Sequence, residues 1–198
     1  MSKAEMSASG QDAGASRRKV VLGAFGLAAV GAGALFAKKL WTDKDLSARL
    51  FNPMTLERFE LSAVPGLAGA DGAPVPGFSS ADLSGRRSIL NIWASWCPTC
   101  REEHELLVDL AARGLAPIYG ADVKDSPEHA RDFLARHGNP YRAVGTDGHA
   151  FLQRALGVRG LPATFVVAPG PKIEVSVLGP LDRNVIEERI VPALTRMG

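Results

Sequence analysis

Residues 89–107 read ILNIWASWCPTCREEHELL, and the fold turns on this stretch. An apolar run with strand character leads to Trp96. Cys97-Pro98-Thr99-Cys100 follows, and then a charged run of helix-forming residues. Proline suits the first position of a helix, where its fixed φ is already helical and its missing N–H costs nothing. Cys97 therefore falls at a helix N-terminus and Cys100 one turn inside. Residues three apart share a helix face, so the two sulfurs can meet. Unpaired backbone N–H groups and the positive end of the helix dipole favour a thiolate at Cys97, and the thiolate is the attacking species. C-x-x-C at a strand-to-helix junction points to a redox dithiol, with Cys97 attacking and Cys100 resolving the mixed disulfide.

Other uses of the pair fit less well. Cys97 and Cys100 are the only cysteines. Zinc needs about four ligands, and His104, His129, His137 and His149 show no ligand spacing around the pair. Haem attachment needs a histidine directly after the second cysteine, and Arg101 stands there. No metal and no cofactor are expected.

Working outward, the chain has 198 residues, 22% charged and 46% hydrophobic. That is globular composition, with room for one domain and an appendage. The net charge of +2 is unevenly placed: residues 1–44 carry seven Lys/Arg and three Asp/Glu, which leaves the rest at −2. The body has no basic patch interleaved with aromatics, so a nucleic-acid partner is not expected.

Residues 1–19 form a polar tail ending in Arg17-Arg18-Lys19. Residues 20–37, VVLGAFGLAAVGAGALFA, carry no charge, and Lys38-Lys39 closes the run. About 18 apolar residues reach the lower limit for a spanning helix. Three readings compete: a retained signal anchor, a cleaved signal peptide using Ala32-Gly33-Ala34, and a twin-arginine export signal beginning near Ser16. Each places the cysteines outside the cytoplasm, where disulfide chemistry takes place. Residues 38–54 read as a linker and 55–198 as the folded domain.

Within that domain, residues 59–61 read as a short strand, 62–80 as a Gly/Pro-rich loop and 79–85 as a turn or short helix. Strands are expected at 87–93 and 115–123, and helices at 99–113 and 126–137, the second capped by Ser126 with Pro127 behind it. A short strand at 141–144, a turn at Thr146-Asp147-Gly148 and a short helix at 149–156 follow. Strands at 164–168 and 173–178 form a hairpin before a last helix at 182–197, interrupted near Pro192. The order gives an α/β layered domain with the hairpin at the edge of a parallel sheet.

The pieces NIWASWCPTCREEH, Val123-Lys124-Asp125, GNPY at 138–141 and GVRGLPATF at 157–165 together resemble the thioredoxin fold. More narrowly they resemble the membrane-tethered thiol:disulfide interchange proteins of cytochrome c maturation, the DsbE/CcmG type. The resemblance implies a thioredoxin-like central mixed sheet flanked by helices. It also implies a single-pass protein of the bacterial inner membrane with its redox domain in the periplasm. Its partners would be apocytochrome c, or a thiol protein of the same maturation system, and a membrane electron donor. Cys97 carries over as nucleophile and Cys100 as resolving thiol, with Trp96, Pro98 and Thr99 completing the loop. Pro162 matches the family's cis-proline, beside which the backbone of Leu161 is free to pair with a substrate chain.

Two departures stand out. Ala163 replaces a frequent Glu, and Asn91 stands where thioredoxins carry a buried Asp, as in this subfamily. Both remove acids that can accept the proton of the buried thiol. Glu103, three residues after Cys100, is the nearest remaining acceptor; the competing reading is a solvated first-turn glutamate favoured by the dipole. Lys124 and Asp125, after the second central strand, read as a surface ion pair or plain loop, the competing role being to tune the site, and His104 reads as a surface helix residue. Trp93 and Trp96 divide between core and rim. Three other functions compete: a general periplasmic oxidant or isomerase, a thioredoxin-fold copper chaperone, whose cysteines usually have three residues between them where this pair has two, and a thiol peroxidase, which the Trp96-Cys97-Pro98 pattern does not suit.

Overall fold

A computed structural model describes residues 54–196. In chain order its elements are β1 (Glu60–Leu61), β2 (Phe78–Ser79), β3 (Ser88–Trp93), α1 (Pro98–Ala112), β4 (Ile118–Val123), α2 (Pro127–His137), β5 (Ala143–Asp147), α3 (Phe151–Ala155), β6 (Ala163–Ala168) and β7 (Lys172–Leu178). The chain closes with α4 (Arg183–Val185), a π-helical turn (Ile186–Ile190) and α5 (Val191–Thr195). The polar tail, the apolar run 20–37 and residues 38–53 lie outside the described residues. Among the described residues no helix is long and apolar enough to cross a membrane.

β3, β4 and β6 are buried at every position. Strands covered on both faces belong at the centre of a sheet packed between two layers. The order is β5-β4-β3-β6-β7, with β3–β4 and β4–β5 parallel and β3–β6 and β6–β7 antiparallel. The expected α/β layering, with a hairpin at one edge, is therefore present.

Side chains alternate across the strands, so the sheet builds two cores. Ile89, Trp93, Ile118, Val144 and Val166 face one way and meet Leu107 and Leu110 of α1, Phe133 and Leu134 of α2, and Ile186 and Ile190. Leu90, Ile92, Tyr119, Ala121 and Phe165 face the other way and meet Leu61, Phe78, Leu83, Leu152 and Leu156. Each such aliphatic side chain contributes roughly 1.5–3 kcal/mol of burial. The dithiol lies in the first core.

Both long helices start as their sequences require. The Cys97 sulfur accepts from Cys100 N at 3.2 Å and Ser126 Oγ from His129 N at 3.2 Å, with proline next in each case. Three expectations need correction. Phe78–Ser79 lies in the expected loop but pairs antiparallel with Glu60–Leu61; two residues are too few to set a period. The strand expected at 141–144 runs Ala143–Asp147, so Thr146 ends a strand, and the turn expected at 146–148 starts one residue later, the Asp147 carbonyl accepting from Ala150 N at 2.9 Å. The Asp147 carboxylate accepts from Phe151 N (2.7 Å) and Gln153 N (3.1 Å), so the residue that opens this turn also holds the start of α3. The last helix begins with Asp182 as its N-cap and widens into the π-helical turn just ahead of Pro192, whose ring and missing N–H disturb the preceding turn.

Candidate active site

β3, the central strand, delivers the chain to the C-terminal end of the parallel strands, and the loop at 94–96 turns it into α1. Cys97 N donates to Ala94 O at 3.2 Å, and Cys97 takes φ −84°, ψ 114°, the extended conformation of an N-cap. Cys97 and Cys100 are joined as a disulfide with Cα atoms 5.3 Å apart. They are 4% and 3% exposed, and the small difference hides an asymmetry. A cleft of about 370 Å³, lined by Trp96, Cys97, Pro98, Thr99, Lys124 and Leu161 among others, reaches Cys97 and does not reach Cys100. A larger cleft of about 760 Å³, between residues 66–76 and the end of α2, is lined by none of residues 95–100 and offers no nucleophile.

The loop before Cys97 is held from below. Trp96 is 54% exposed, yet its Nε1 donates to the carbonyls of Val123 (3.2 Å) and Lys124 (3.1 Å). Ser95 N donates to Asp125 Oδ2 at 2.6 Å, and Ser126 N to Asp125 Oδ1 at 2.8 Å. Asp125 is thus a clamp on the loop and not half of a surface ion pair. Lys124, at φ +49°, turns the chain so that Asp125 faces inward. Trp93 is fully buried against Tyr141 and Phe133, while Trp96 forms the rim, so the division between them holds. The Leu161–Pro162 peptide is cis, and Leu161 lines the Cys97 cleft.

Behind the disulfide runs a buried polar network. Asn91 Nδ2 donates to Glu103 Oε1 (3.2 Å) and Thr164 Oγ1 (3.0 Å), and its Oδ1 accepts from Tyr141 OH (2.9 Å). Glu103 Oε2 accepts from Leu181 N at 2.7 Å. Glu103 is 1% exposed, which overturns the solvated first-turn alternative. Burial pushes its carboxyl up to about 7, against the lowering effect of the Leu181 N–H and the Asn91 amide. His104 is a second correction. It is buried, its Nε2 donates to the Gly138 carbonyl at 2.9 Å, and burial lowers its pKa. Cys100, His104 and Leu107 share one helical stripe, and a polar residue on the inward stripe stays there only with a partner.

Sequence reasoning missed Asp122. It sits on β4 between Trp93 of β3 and Thr146 of β5, buried, one residue from the Lys124–Asp125 turn. Burial and then the adjacent Asp125 charge push its carboxyl up to about 8. Asp122 Oδ1, Trp93 Nε1 and Thr146 Oγ1 lack hydrogen-bond partners among the described residues. Gly120, two residues earlier on the same face, leaves room for two rings: an added Cβ would lie 2.8 Å from Trp93 Nε1 and 2.9 Å from Tyr141 Cδ1. Both rings are locked in the core, so Gly120→Ala is expected to cost about 1–3 kcal/mol by overpacking. A urea midpoint unchanged from that of the parent would contradict this packing.

Fold and site together define a thioredoxin-fold thiol:disulfide oxidoreductase. The chain belongs to the Redoxin family, whose pattern matches residues 63–189. It is 42% identical over 124 residues to the thiol:disulfide interchange protein HelX of Rhodobacter capsulatus, covering 62% of this chain and 69% of that one. It is 40% identical over 117 residues to the thiol:disulfide interchange protein DsbE of Escherichia coli, covering 58% and 63%. A solved thioredoxin-family thiol:disulfide interchange protein from Chlorobium tepidum superposes with a TM-score of 0.57 at 26% identity, covering 72% of this chain and 97% of that one.

Proposed function

We propose that this protein is a membrane-tethered, extracytoplasmic reductant of disulfides in apocytochrome c, or in a thiol protein that serves it, during cytochrome c maturation. Residues 1–19 are then a cytoplasmic tail, 20–37 the anchor in the bacterial inner membrane, 38–54 a linker and 55–198 the periplasmic redox domain. The observation that carries the reading is the cleft that admits a substrate to Cys97 and withholds Cys100. The family's motif pieces around that cleft support it.

The Cys97 thiolate attacks one sulfur of the substrate disulfide. That bond breaks, a mixed disulfide forms, and the other substrate sulfur leaves as a thiolate. Cys100 then attacks the Cys97 sulfur, its proton passing to Glu103, whose carboxyl near 7 can hold or release a proton at neutral pH. The second substrate thiol departs, and two electrons have moved from the dithiol to the substrate. A membrane electron donor restores the Cys97–Cys100 dithiol. Trp96, Pro98 and Thr99 shape the entrance, and the Leu161 backbone beside Pro162 aligns the substrate chain.

Equilibration with glutathione or dithiothreitol buffers tests the direction of transfer. A reduction potential at or below about −200 mV is expected for a reductant with a dedicated donor. A value near about −120 mV marks a strong oxidant and would replace this reading with disulfide formation.

A further inference from the structure

We propose that the Cys97 cleft selects acidic substrates: an extended protein segment with Asp or Glu within about two residues of its reactive cysteine. The proposal rests on the reading of that cleft as the substrate site, and it names the chemistry of the partner.

The charge around Cys97 runs against the charge of the domain. Residues 54–196 hold 15 Lys/Arg and 17 Asp/Glu. Yet the cleft over Cys97 is lined by Lys124 and Arg159 with no acidic residue. On the far side of Trp96 a second cleft of about 310 Å³ is lined by Arg101 and Arg136, again with no acidic residue. Trp96 is therefore a ridge between two basic hollows. Lys124 and Arg159 are exposed, and neither forms an ion pair among the described residues. Arg101 lies 5.9 Å from the Phe133 ring centre, and Arg136 makes one exposed 3.5 Å contact with Asp132. Asp125, next to Lys124 in the chain, is turned inward onto Ser95 N and Ser126 N.

The shape suits an extended chain. Neither backbone group of Leu161 has a backbone partner among the described residues, and Leu161 borders the same cleft as Arg159. A segment pairing there sets its alternate side chains towards the cations, with its cysteine over Cys97. Charges gathered in a cleft of this size act within about one Debye length, ~10 Å at 0.1 M salt, and a single-sign cleft raises the encounter rate of the opposite charge by about tenfold or more. Selection thus appears in the rate of attack and weakens with salt.

The test uses the reduced full-length chain in non-ionic detergent and three synthetic peptides. Each has one cysteine blocked as the mixed disulfide with uncharged 2-mercaptoethanol, flanked on both sides by Asp/Glu, Ser or Lys. Each second-order rate is divided by that peptide's rate with dithiothreitol, which removes intrinsic reactivity. At low salt the acidic peptide is expected to react about tenfold faster than the basic one, and the ratio to approach one at 0.5 M salt. In Lys124→Glu/Arg159→Glu the ratio inverts, and being internal it is blind to any change in the dithiol. Equal normalised rates at low salt, or a ratio untouched by the double reversal, would overturn the preference alone. Failure to reduce all three peptides would overturn the reductase reading and the preference with it.

Discussion

Cys97→Ser is expected to reduce disulfide turnover to the uncatalysed background, and Cys100→Ser to attack once and stop. The two cysteines are near neighbours, yet their surroundings assign them different tasks. Cys97 is the N-cap of α1, and its sulfur accepts the Cys100 N–H at 3.2 Å. Helix N-termini stabilise a nearby negative charge by about 0.3–2 kcal/mol, which favours the attacking thiolate at this position. A serine hydroxyl at that position remains protonated and does not attack. Cys100 sits inside the first turn and outside the cleft, so no substrate disulfide reaches it. It acts only after Cys97 has formed the mixed disulfide. Without it that species has no internal exit and accumulates to one substrate per chain, visible by mass spectrometry under non-reducing conditions. Unimpaired turnover in Cys100→Ser, or trapping by Cys97→Ser through Cys100, would overturn the order of attack.

The dithiol and its helix were legible because their determinants are local. Pro98 presets a helix start and the spacing of Cys97 and Cys100 puts them on one face; Ser126-Pro127 marks α2 in the same way. The central strands were legible because burial on both faces leaves continuous apolar runs. What escaped depends on partners distant in the chain. Glu103 is a carboxylate in a charged run, which reads as a solvated first-turn acid, whereas it lies in the second turn of α1 and is held inside by Asn91, 12 residues earlier, and Leu181, 78 residues later. His104 carried conflicting signals, an inward position by period and an outward one by polarity, and the Gly138 carbonyl 34 residues on decided between them. Asp147 was legible as a turn residue, but its bonds to the start of α3 were not, because holding a helix start and forming a turn use the same short acceptor side chain. Asp122 gave no signal: its strand could place it on either side of the sheet, and only its register between Trp93 and Thr146 shows that it is buried without a cation.

That burial makes Asp122→Asn the substitution with the largest expected effect on stability, and the effect depends on pH. The folded protein holds the Asp122 proton up to about pH 8, whereas an unfolded chain releases it near 3.8. Between those values the native state binds one more proton than the unfolded state, so stability falls as pH rises, by up to about 1.4 kcal/mol per pH unit, and levels off above 8. Glu103 acts with the same sign up to about 7. His104 opposes them at lower pH: it is held neutral in the fold but charges near 6.5 when unfolded, which lowers stability as pH drops below that value. From pH 7 to 8.5 Asp122 therefore supplies most of the slope, with a smaller share from the end of the Glu103 titration. Wild-type stability should fall across that interval by about 1.5 kcal/mol, while Asp122→Asn should keep only the smaller Glu103 share, less than about 0.5 kcal/mol. At pH 8 and above the variant should be more stable by on the order of 3 kcal/mol, since the amide needs no proton to stay neutral in the core. At pH 5, where Asp122 is itself neutral, the two chains should lie within about 1 kcal/mol, because amide and acid have nearly the same shape. Asp125 keeps its bonds to Ser95 N and Ser126 N in the variant, so the clamp survives and the comparison concerns charge alone. Urea midpoints at pH 5, 7, 8 and 9 decide the matter. A variant less stable than wild type at pH 8, or one that keeps the wild-type slope, would mean that Asp122 is ionised in the fold and held by a partner.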